Sequence, residues 1–410
     1  MSANTNDSPG GAPPGRRPLT GIRVVDFGQF VAGPLAAALL ADFGADVIRV
    51  ERPDGGADRH VQPIGADAPG GAVYLQLNRN KRALALDPFD DRARDVVDRL
   101  IRHADVIVVN APEATRDAMG LSWERVATLN PRLILATCTA FGGGPLGNAP
   151  GFDGIGQAMS GALHMTGKDG EPRKAYAHYV DHQTATLSAF GVMLALRERE
   201  QTGRGQHVET SLLRSALLTM AANLIEEDVL QVGRAGIGNR AHLAGPADVF
   251  RTLDGHVLLQ VVGDSMFRRC ARLLQRPEWI DDPRFTSDEE RGTHGAILSE
   301  AVAAWCANRS TEECIAILRA AGLPAAPVLA PRETLRHPDL QAGEFWSRVA
   351  SGNGPAVLLA APPVVLSASP GAIERGAPAL GEHSLEILDE LGLDPQTAQA
   401  LREAGVVKTA

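Results

Sequence analysis

A chain of 410 residues, 44% hydrophobic and 22% charged, has the balance of a globular protein and the length for two or more domains around a large core. Its net charge of −9 excludes a surface built to neutralise many nucleic-acid phosphates, while leaving room for a local basic pocket. Cys138, Cys270, Cys306 and Cys314 show no CxxC spacing, so neither a zinc site nor a disulfide framework is indicated, and a reducing cytoplasm is the simplest setting. The chain opens on MSANTNDSPGGAPPGR, rich in Pro, Gly, Ser and Asn and without the apolar stretch of a signal peptide, so residues 1–18 are expected to form a disordered tail. No run reaches the roughly 18 to 20 apolar residues needed to cross a bilayer. The expectation is a soluble cytoplasmic protein with neither a membrane nor a nucleic acid as partner.

In chain order, Ile22–Phe27 (IRVVDF) reads as a buried strand, and Gly33-Pro34 opens an apolar helix, proline being suited to a first turn where its missing N–H has no helical partner. Gly44 closes that helix and Asp46–Glu51 (DVIRVE) supplies a second strand, completing a short βαβ unit. A helix over Asp91–His103 and strands at Asp105–Asn110 and Leu133–Cys138 continue the alternation. Such alternation predicts an α/β fold with a doubly wound, Rossmann-like parallel sheet. Ligands of such sheets bind beyond the carboxyl ends of the strands, which makes Phe27–Gly33, Glu51–Pro53 and Asn110 the candidate wall of a site. A glycine-rich, partly helical stretch, Gly151–Gly170, follows, and helices over Gln183–Arg199 and Leu212–Val232 are expected to be buried on one face. From Ala244 to Ala325 the pattern changes to a hairpin turning at Asp254-Gly255, then helices at Asp264–Leu274, Thr293–Cys306 and Thr311–Ala321, a smaller α+β domain. The end of the chain, from Gly381, reads as two short helices.

The βαβ unit lacks GxGxxG, with only Gly28 and Gly33 between strand and helix, and no GxxxxGK[ST] occurs, so neither a nicotinamide cofactor nor a P-loop is supported. The candidate reactive residue is Asp181, just ahead of the Gln183–Arg199 helix. An aspartate there is most often an N-cap. His178 and His182 give an H-x-x-D-H pattern, but the third ligand of a metal site is missing, so no metal is expected.

Seven segments occur in a fixed order: DFGQFVAGPLAAALLADFGADVIRVERP, LNRNKRALAL, LNPRLI, the Asp181 segment, RERE followed by QTGRGQHVETSL, LPAAPV and GEHSLEILDELGL. In that order, over Leu19 to Val407, the chain resembles the class III CoA-transferases of the CaiB/BaiF type, a family that includes formyl-CoA transferase, carnitine CoA-transferase and the α-methylacyl-CoA racemases. The resemblance implies an interlocked homodimer whose large domain uses both chain ends, here 19–224 and 334–410. It implies a small domain at 244–326, with linkers at 225–243 and 327–333.

It further implies an enzyme that takes a coenzyme A thioester and a small carboxylic acid as substrates, with no prosthetic group. Asp181 would be the nucleophile, carrying first an acyl anhydride and then a CoA thioester so that the acyl energy is retained. Backbone N–H groups at the helix start or a glycine turn would hold the oxyanion of each tetrahedral intermediate. Position by position, Arg52 matches a CoA contact, Leu86 an adenine-side contact, Asn110 and Ala111 the wall along the pantetheine arm, and Phe30 and Val31 the reacting end. Read without the family, Arg52 is a solvated charge at a strand end. Phe89, Ala118 and Thr139 stand where formyl-CoA transferase has phosphate-binding cations, so Lys81, Arg82 or Arg116 would have to serve. No tetraglycine loop occurs between Gly233 and Val249, which argues against formyl and oxalate specificity. Arg240, His242 or Arg59 would be the cation for an acceptor with a second carboxylate.

The racemase branch stays open as an alternative, since it pairs the same aspartate with a histidine in a GHD-like segment. Here that segment is Gly151-Phe152-Asp153, and a phenylalanine carries no proton, which favours transfer over racemisation. His164 or His178 remains as a substitute. A binding protein that has lost catalysis is the third reading, opposed by the presence of Asp181.

Overall fold

The computed structural model describes residues 17–65, 68–350 and 356–410. All but the last two residues of the expected disordered tail lie outside the described residues. Runs of Val, Ile, Leu and Ala form six parallel strands: β1 (Arg23–Asp26), β2 (Asp46–Glu51), β3 (Lys81–Leu86), β4 (Val106–Val109), β5 (Ile134–Thr139) and β6 (His207–Ser211). Their order in the sheet is β3-β2-β1-β4-β5-β6, the doubly wound arrangement expected from the alternation. Val407–Lys408 joins the outer edge antiparallel to β3, with Val407 opposite Leu86, so the last residues of the chain complete a sheet begun at Arg23.

The period of two along each strand divides the core. Val25, Ile48, Leu84, Ile107 and Leu135 face one layer, with Val96, Val97, Leu100 and Ile101 of the Arg94–His103 helix and Ile387, Leu388 and Leu401 of the C-terminal helices. Val24, Val47, Val106 and Ile134 face the other, formed by helix α1 (Ala32–Asp42) and a long helix whose Ala185, Ala189, Val192 and Leu196 point inward. Smaller antiparallel sheets complete the mixed α/β architecture: Trp346–Val349 with Val357–Ala360, and a three-stranded sheet of Ala247–Arg251, His256–Gln260 and Ala325–Pro327. The expected hairpin at Asp254-Gly255 is present, closed by the Thr252 N–H donating to the Gly255 carbonyl at 3.0 Å.

The described chain divides into two compact units. One holds residues up to Ser160, Ala177–Ala221 and Gly343–Ala410. The other holds Gly161–Tyr176 and Ala222–Ala342, and its core is built from Phe267, Trp279, Phe285, Leu298, Val302 and Leu318.

Three further helices matter for the site: α2 (Asp153–Met159), α3 (Tyr179–Thr202) and α4 (Leu212–Leu230). Helix α3 begins four residues before the expected Gln183, which puts Asp181 inside its first turn and makes His178 the residue at the N-cap position. The expectation of one buried face per helix is corrected for α4, which buries only Leu212, Ser215 and Ala216. Leu217 and Leu218 of α4 are exposed, as are Phe190, Met193 and Leu194 of α3, with no cover among the described residues.

Beneath the turn after β1 lies a cluster of buried charges. Lys81, fully buried, donates to Asp26 Oδ2 at 2.7 Å, to the Pro34 carbonyl at 2.8 Å and to Asn78 Oδ1 at 2.9 Å. Asp26 Oδ1 accepts the Gly28 N–H at 2.7 Å. Arg49 reaches the Gly28 carbonyl, Asn78 and both oxygens of Asp58. Burial pulls the Lys81 ammonium down to about 8, opposed by the neighbouring Asp26. Removing one member strands the other charge, so Lys81→Met is expected to lose about 3–5 kcal/mol in urea unfolding, most of it restored by adding Asp26→Asn. An equal loss in the single and the double variant would show that the pairing is not what matters.

Candidate active site

A cavity of about 320 Å³ opens where β1, β2, β4 and β5 end, and all of its lining belongs to one of the two units. The turn after β1 forms one wall through Gln29, Phe30 and Val31. Its path demands glycine: a side chain at Gly28 would lie 2.7 Å from Asp26 Oδ1 and 2.8 Å from Pro34 Cδ, and one at Gly33 would meet the Gly28 Cα at 3.1 Å. Asn110, at the end of β4, clamps this turn with both ends of its amide, Oδ1 accepting from the Gln29 N–H at 2.8 Å and Nδ2 donating to the Gln29 carbonyl at 2.6 Å. Phe30 is thereby held at a φ of 60°, a left-handed conformation that a bulky residue adopts only when its surroundings impose it.

Asp181 enters the same cavity from the first turn of α3. Its neighbours in the lining include Cys138 of β5, Ala140 just after it, Leu212 at the start of α4, and Phe152. The Phe152 ring meets the Phe30 ring edge to face, with centroids 5.6 Å apart and planes at 88°. These apolar walls desolvate the Asp181 carboxyl, and burial, aided by the negative charge of Asp153, pushes it up to about 7.

The N-cap reading of Asp181 is corrected. The carboxylate at the start of α3 belongs to Asp153 of α2, whose Oδ2 accepts the N–H groups of Val180 at 2.9 Å and Asp181 at 3.2 Å, while Gln157 donates to Oδ1. Asp181 is left free of that task and faces the cavity. Two of the helix-start N–H groups expected to hold an oxyanion are thus occupied, and of the glycine turn expected as the other source, Gly147 and Gly151 line the cavity.

Of the residues singled out in the sequence, the cavity brings together Asp181, Phe30, Val31, Arg52, Asn110 and Ala111. Leu86 does not reach it, since its side chain is fully buried in the core; Pro88 and Phe89, just beyond, form that part of the wall. Arg52 is exposed and only loosely paired, with Asp54 at 3.3 Å. Two suggested phosphate cations are corrected: Lys81 is wholly inside the protein, and Arg82 is committed to Asp46, Glu386 and Glu390. Arg116 is half-buried and is not in the cavity lining. Arg59, suggested for a second carboxylate, is buried against Glu51, its Nε donating at 2.7 Å.

The histidines disperse. His178 is exposed; His182 is exposed too and lines a separate apolar cavity of about 750 Å³ with Leu35, Leu39 and Trp346; His164 contacts the Arg234 carbonyl at 3.3 Å. Among the described residues no group of three or more His, Cys, Asp or Glu is arranged to hold a metal ion, and no helix is long and apolar enough to cross a membrane.

Residues 19–384 match the family model of CoA-transferase family III. The chain belongs to that family. It is 32% identical over 397 residues to succinyl-CoA–D-citramalate CoA-transferase of Chloroflexus aurantiacus, with 95% of this chain and 98% of the relative covered. It is 33% identical over 396 residues to succinate–glutarate CoA-transferase of Agrobacterium fabrum, with 94% and 98% covered. The crystal structure of a CaiB/BaiF family protein from Brucella suis superposes with a TM-score of 0.81 at 28% identity, covering 92% of this chain and all of that one.

In this CoA-transferase the residues that sequence reasoning missed are Asp153 and Gln157. Asp153 was noted only for the phenylalanine before it, and no local signal reveals a contact to an amide 28 positions away. The raised Asp181 carboxyl has a measurable sign: between about pH 4 and 7 the native protein holds a proton that the unfolded chain has lost, so this group's contribution to stability is full below pH 4 and declines as pH rises through 7. Asp181→Asn is therefore expected to be more stable than wild type at pH 8 by about 1 kcal/mol, discounted for the solvent reaching the half-buried carboxyl, with the gap closing towards pH 4 in thermal melts. A gap independent of pH would refute the raised value.

Proposed function

We propose that this CoA-transferase moves coenzyme A from an acyl-CoA thioester to a carboxylic acid, with Asp181 as the covalent nucleophile. The observation that carries the reading is a partly desolvated carboxyl in a largely apolar cavity whose lining also holds an exposed arginine, Arg52. A carboxylate is a weak nucleophile in water, and a thioester is an activated acyl donor. Holding the two in place removes much of the entropic barrier, and excluding water both sharpens the nucleophile and protects the anhydride from hydrolysis.

In the first step an Asp181 oxygen bonds to the acyl carbon, the C–S bond breaks and CoA leaves as thiolate. The thiolate then attacks the Asp181 carbonyl of the anhydride, releasing the donor's carboxylate and leaving CoA on Asp181 as a thioester. The acceptor carboxylate attacks that thioester, and the returning thiolate converts the second anhydride to the product acyl-CoA. No proton need be removed from carbon in any step.

The exposed Arg52 suits the anionic end of CoA, and Val31, Ala111, Pro112 and Met119 give the pantetheine arm an apolar path. Both ends of the Asn110 amide are engaged by Gln29, so its part is to shape the wall. Both curated relatives act by name on succinate or its CoA thioester, which makes succinyl-CoA the first donor to try. Racemisation is disfavoured because Phe152 occupies the wall facing Phe30 and no histidine lines the cavity among the described residues.

The uncovered apolar side chains Phe190, Met193, Leu194, Leu217 and Leu218 support an interlocked homodimer, as an exposed apolar face of this kind calls for a partner. Light scattering is expected to give twice the chain mass, and a monomer at micromolar concentration would rule the dimer out.

Asp181→Asn is expected to lower CoA transfer from succinyl-CoA to glutarate by about three orders of magnitude or more. Intact-mass measurement after mixing with succinyl-CoA is expected to show CoA attached to wild type and none on the variant. Undiminished transfer by Asp181→Asn would defeat the proposal, and exchange of an α-proton of an α-methylacyl-CoA in deuterium oxide without any transfer would install the racemase reading instead.

A further inference from the structure

We propose that Asp153 is a positioning residue for Asp181, anchoring the first turn of α3 through two backbone N–H groups and opposing, by its own charge, the charge of the Asp181 carboxylate. The inference rests on the reading of Asp181 as nucleophile. Asp153 is 1% exposed, and each of its oxygens is engaged: Oδ2 by the amides of Val180 and Asp181, Oδ1 by Gln157 from one turn along the same helix. A buried carboxylate with these partners holds α3 in one orientation, and so determines where the Asp181 side chain emerges.

Two consequences follow for the chemistry. The N-terminal amides of α3, which would otherwise stabilise a negative Asp181, are spent on Asp153. The Asp181 carboxylate is then less stabilised than an aspartate in a helix's first turn normally is. When its oxygen bonds to the acyl carbon and the electron pair of the C–S bond leaves with sulfur, the negative charge moves from Asp181 to CoA, and the repulsion by Asp153 ends. The interaction is unfavourable in the resting enzyme and absent from the acylated one, so it lowers the barrier to acylation.

Other charged groups do not supply this effect. The elements packed against α3 include α1, α2, β5, β6 and the start of α4, whose charged residue there is Arg214. Asp42 of α1 is paired with Arg79, His207 of β6 is hydrogen-bonded to Thr137, and Glu209 of β6 lies 3.5 Å from Arg214. Cys138 of β5 is a buried thiol that Asp181 itself pushes up, after desolvation and Asp26. On α3, His178 and His182 are solvent-exposed. Asp153 is the charged group that acts on Asp181, in addition to burial.

Asp153→Asn separates charge from geometry: the amide oxygen can keep both α3 contacts while Gln157 turns its own amide to match. The readout needs no substrate. The difference in melting temperature between a protein and its Asp181→Asn counterpart is followed from pH 4 to 9, once with Asp153 intact and once in the Asp153→Asn background. The midpoint is expected to move down by about one pH unit when the charge is removed. A cap that is merely structural leaves it in place, and an unmoved midpoint overturns the proposal. Asp153→Ser, which keeps an acceptor for one amide, gives the same reading should Asp153→Asn not fold; failure of both to fold would also count against the proposal, since a pure cap predicts that.

Transfer from succinyl-CoA to glutarate is assayed in parallel. Asp153→Ala, which removes anchor and charge together, is expected to lower kcat about 100-fold with KM little changed, as for a misplaced reacting group. A rise in KM alone would contradict positioning. Asp181→Asn retaining transfer would remove the nucleophile reading while leaving the titration result standing, so the two failures are distinguishable.

Discussion

The ion pair of Lys81 and Asp26 is the constraint on which the site depends. Neither side chain touches solvent, and an unpaired charge at that depth would be costly, so the two must meet. Their meeting ties together the end of β1, the start of β3 and, through the Pro34 carbonyl, the first turn of α1. The second oxygen of Asp26 holds the Gly28 N–H, and Arg49 holds the Gly28 carbonyl from the far side. A turn secured at so many points has little freedom, which is how Phe30 can be kept at a positive φ. The strain, of order 1–3 kcal/mol at a non-glycine position, is sustained by a cluster of buried charges that also has to exist for the sheet to close.

From that turn the wall of the cavity propagates by contact. Asn110 carries the position of Gln29 across to the end of β4, and the Phe30 ring carries it to Phe152. Phe152 immediately precedes Asp153, and Asp153 receives the first amides of α3. The aromatic wall and the carboxylate anchor are thus consecutive residues, one facing the cavity and the other facing away from it beneath α3. A shift of the Gly147–Phe152 loop would move both, so the acyl-facing surface and the direction of Asp181 are coupled through a single peptide unit.

The sheet was legible because its signals are local and repeated. Val-Ile runs of four to six residues separated by helical stretches announce parallel strands, and the Asp254-Gly255 turn announces its hairpin. Phe30, Val31, Arg52 and Asn110 fall on the wall that topology alone identifies at the strands' carboxyl ends, whereas Asp181 and Ala111, which line the same cavity, were assigned to the site through the family resemblance. The errors concern side-chain commitments. Lys81, Arg82 and Arg59 look like free cations in a sequence, and each is consumed by a carboxylate 8 to 308 positions away in the chain. Leu86 sits at the expected strand end but on the face that the pleat turns inward. Asp181 looked like the cap of its own helix because only the fold reveals that another aspartate already holds that place. The uncovered length of α4 was read as having a buried face because periodicity reports that an apolar stripe needs a cover without saying which chain supplies it.

These commitments divide the cavity electrostatically. Lys81, Arg82 and Arg59 are locked in ion pairs, and the arginine in the cavity lining, Arg52, is exposed. Phe30, Phe152, Ala140 and Leu212 share the lining with one half-buried carboxyl, that of Asp181. A ligand with a polyanionic end and a long apolar arm matches that gradient in one direction only, with its charge outside and its far terminus against Asp181. At that terminus a carboxylate costs free energy to keep ionised, and acylation removes the cost. An arginine beside Asp181 would stabilise the carboxylate and slow its attack. The scarcity of cations there is therefore as much a part of the proposed chemistry as the presence of the aspartate.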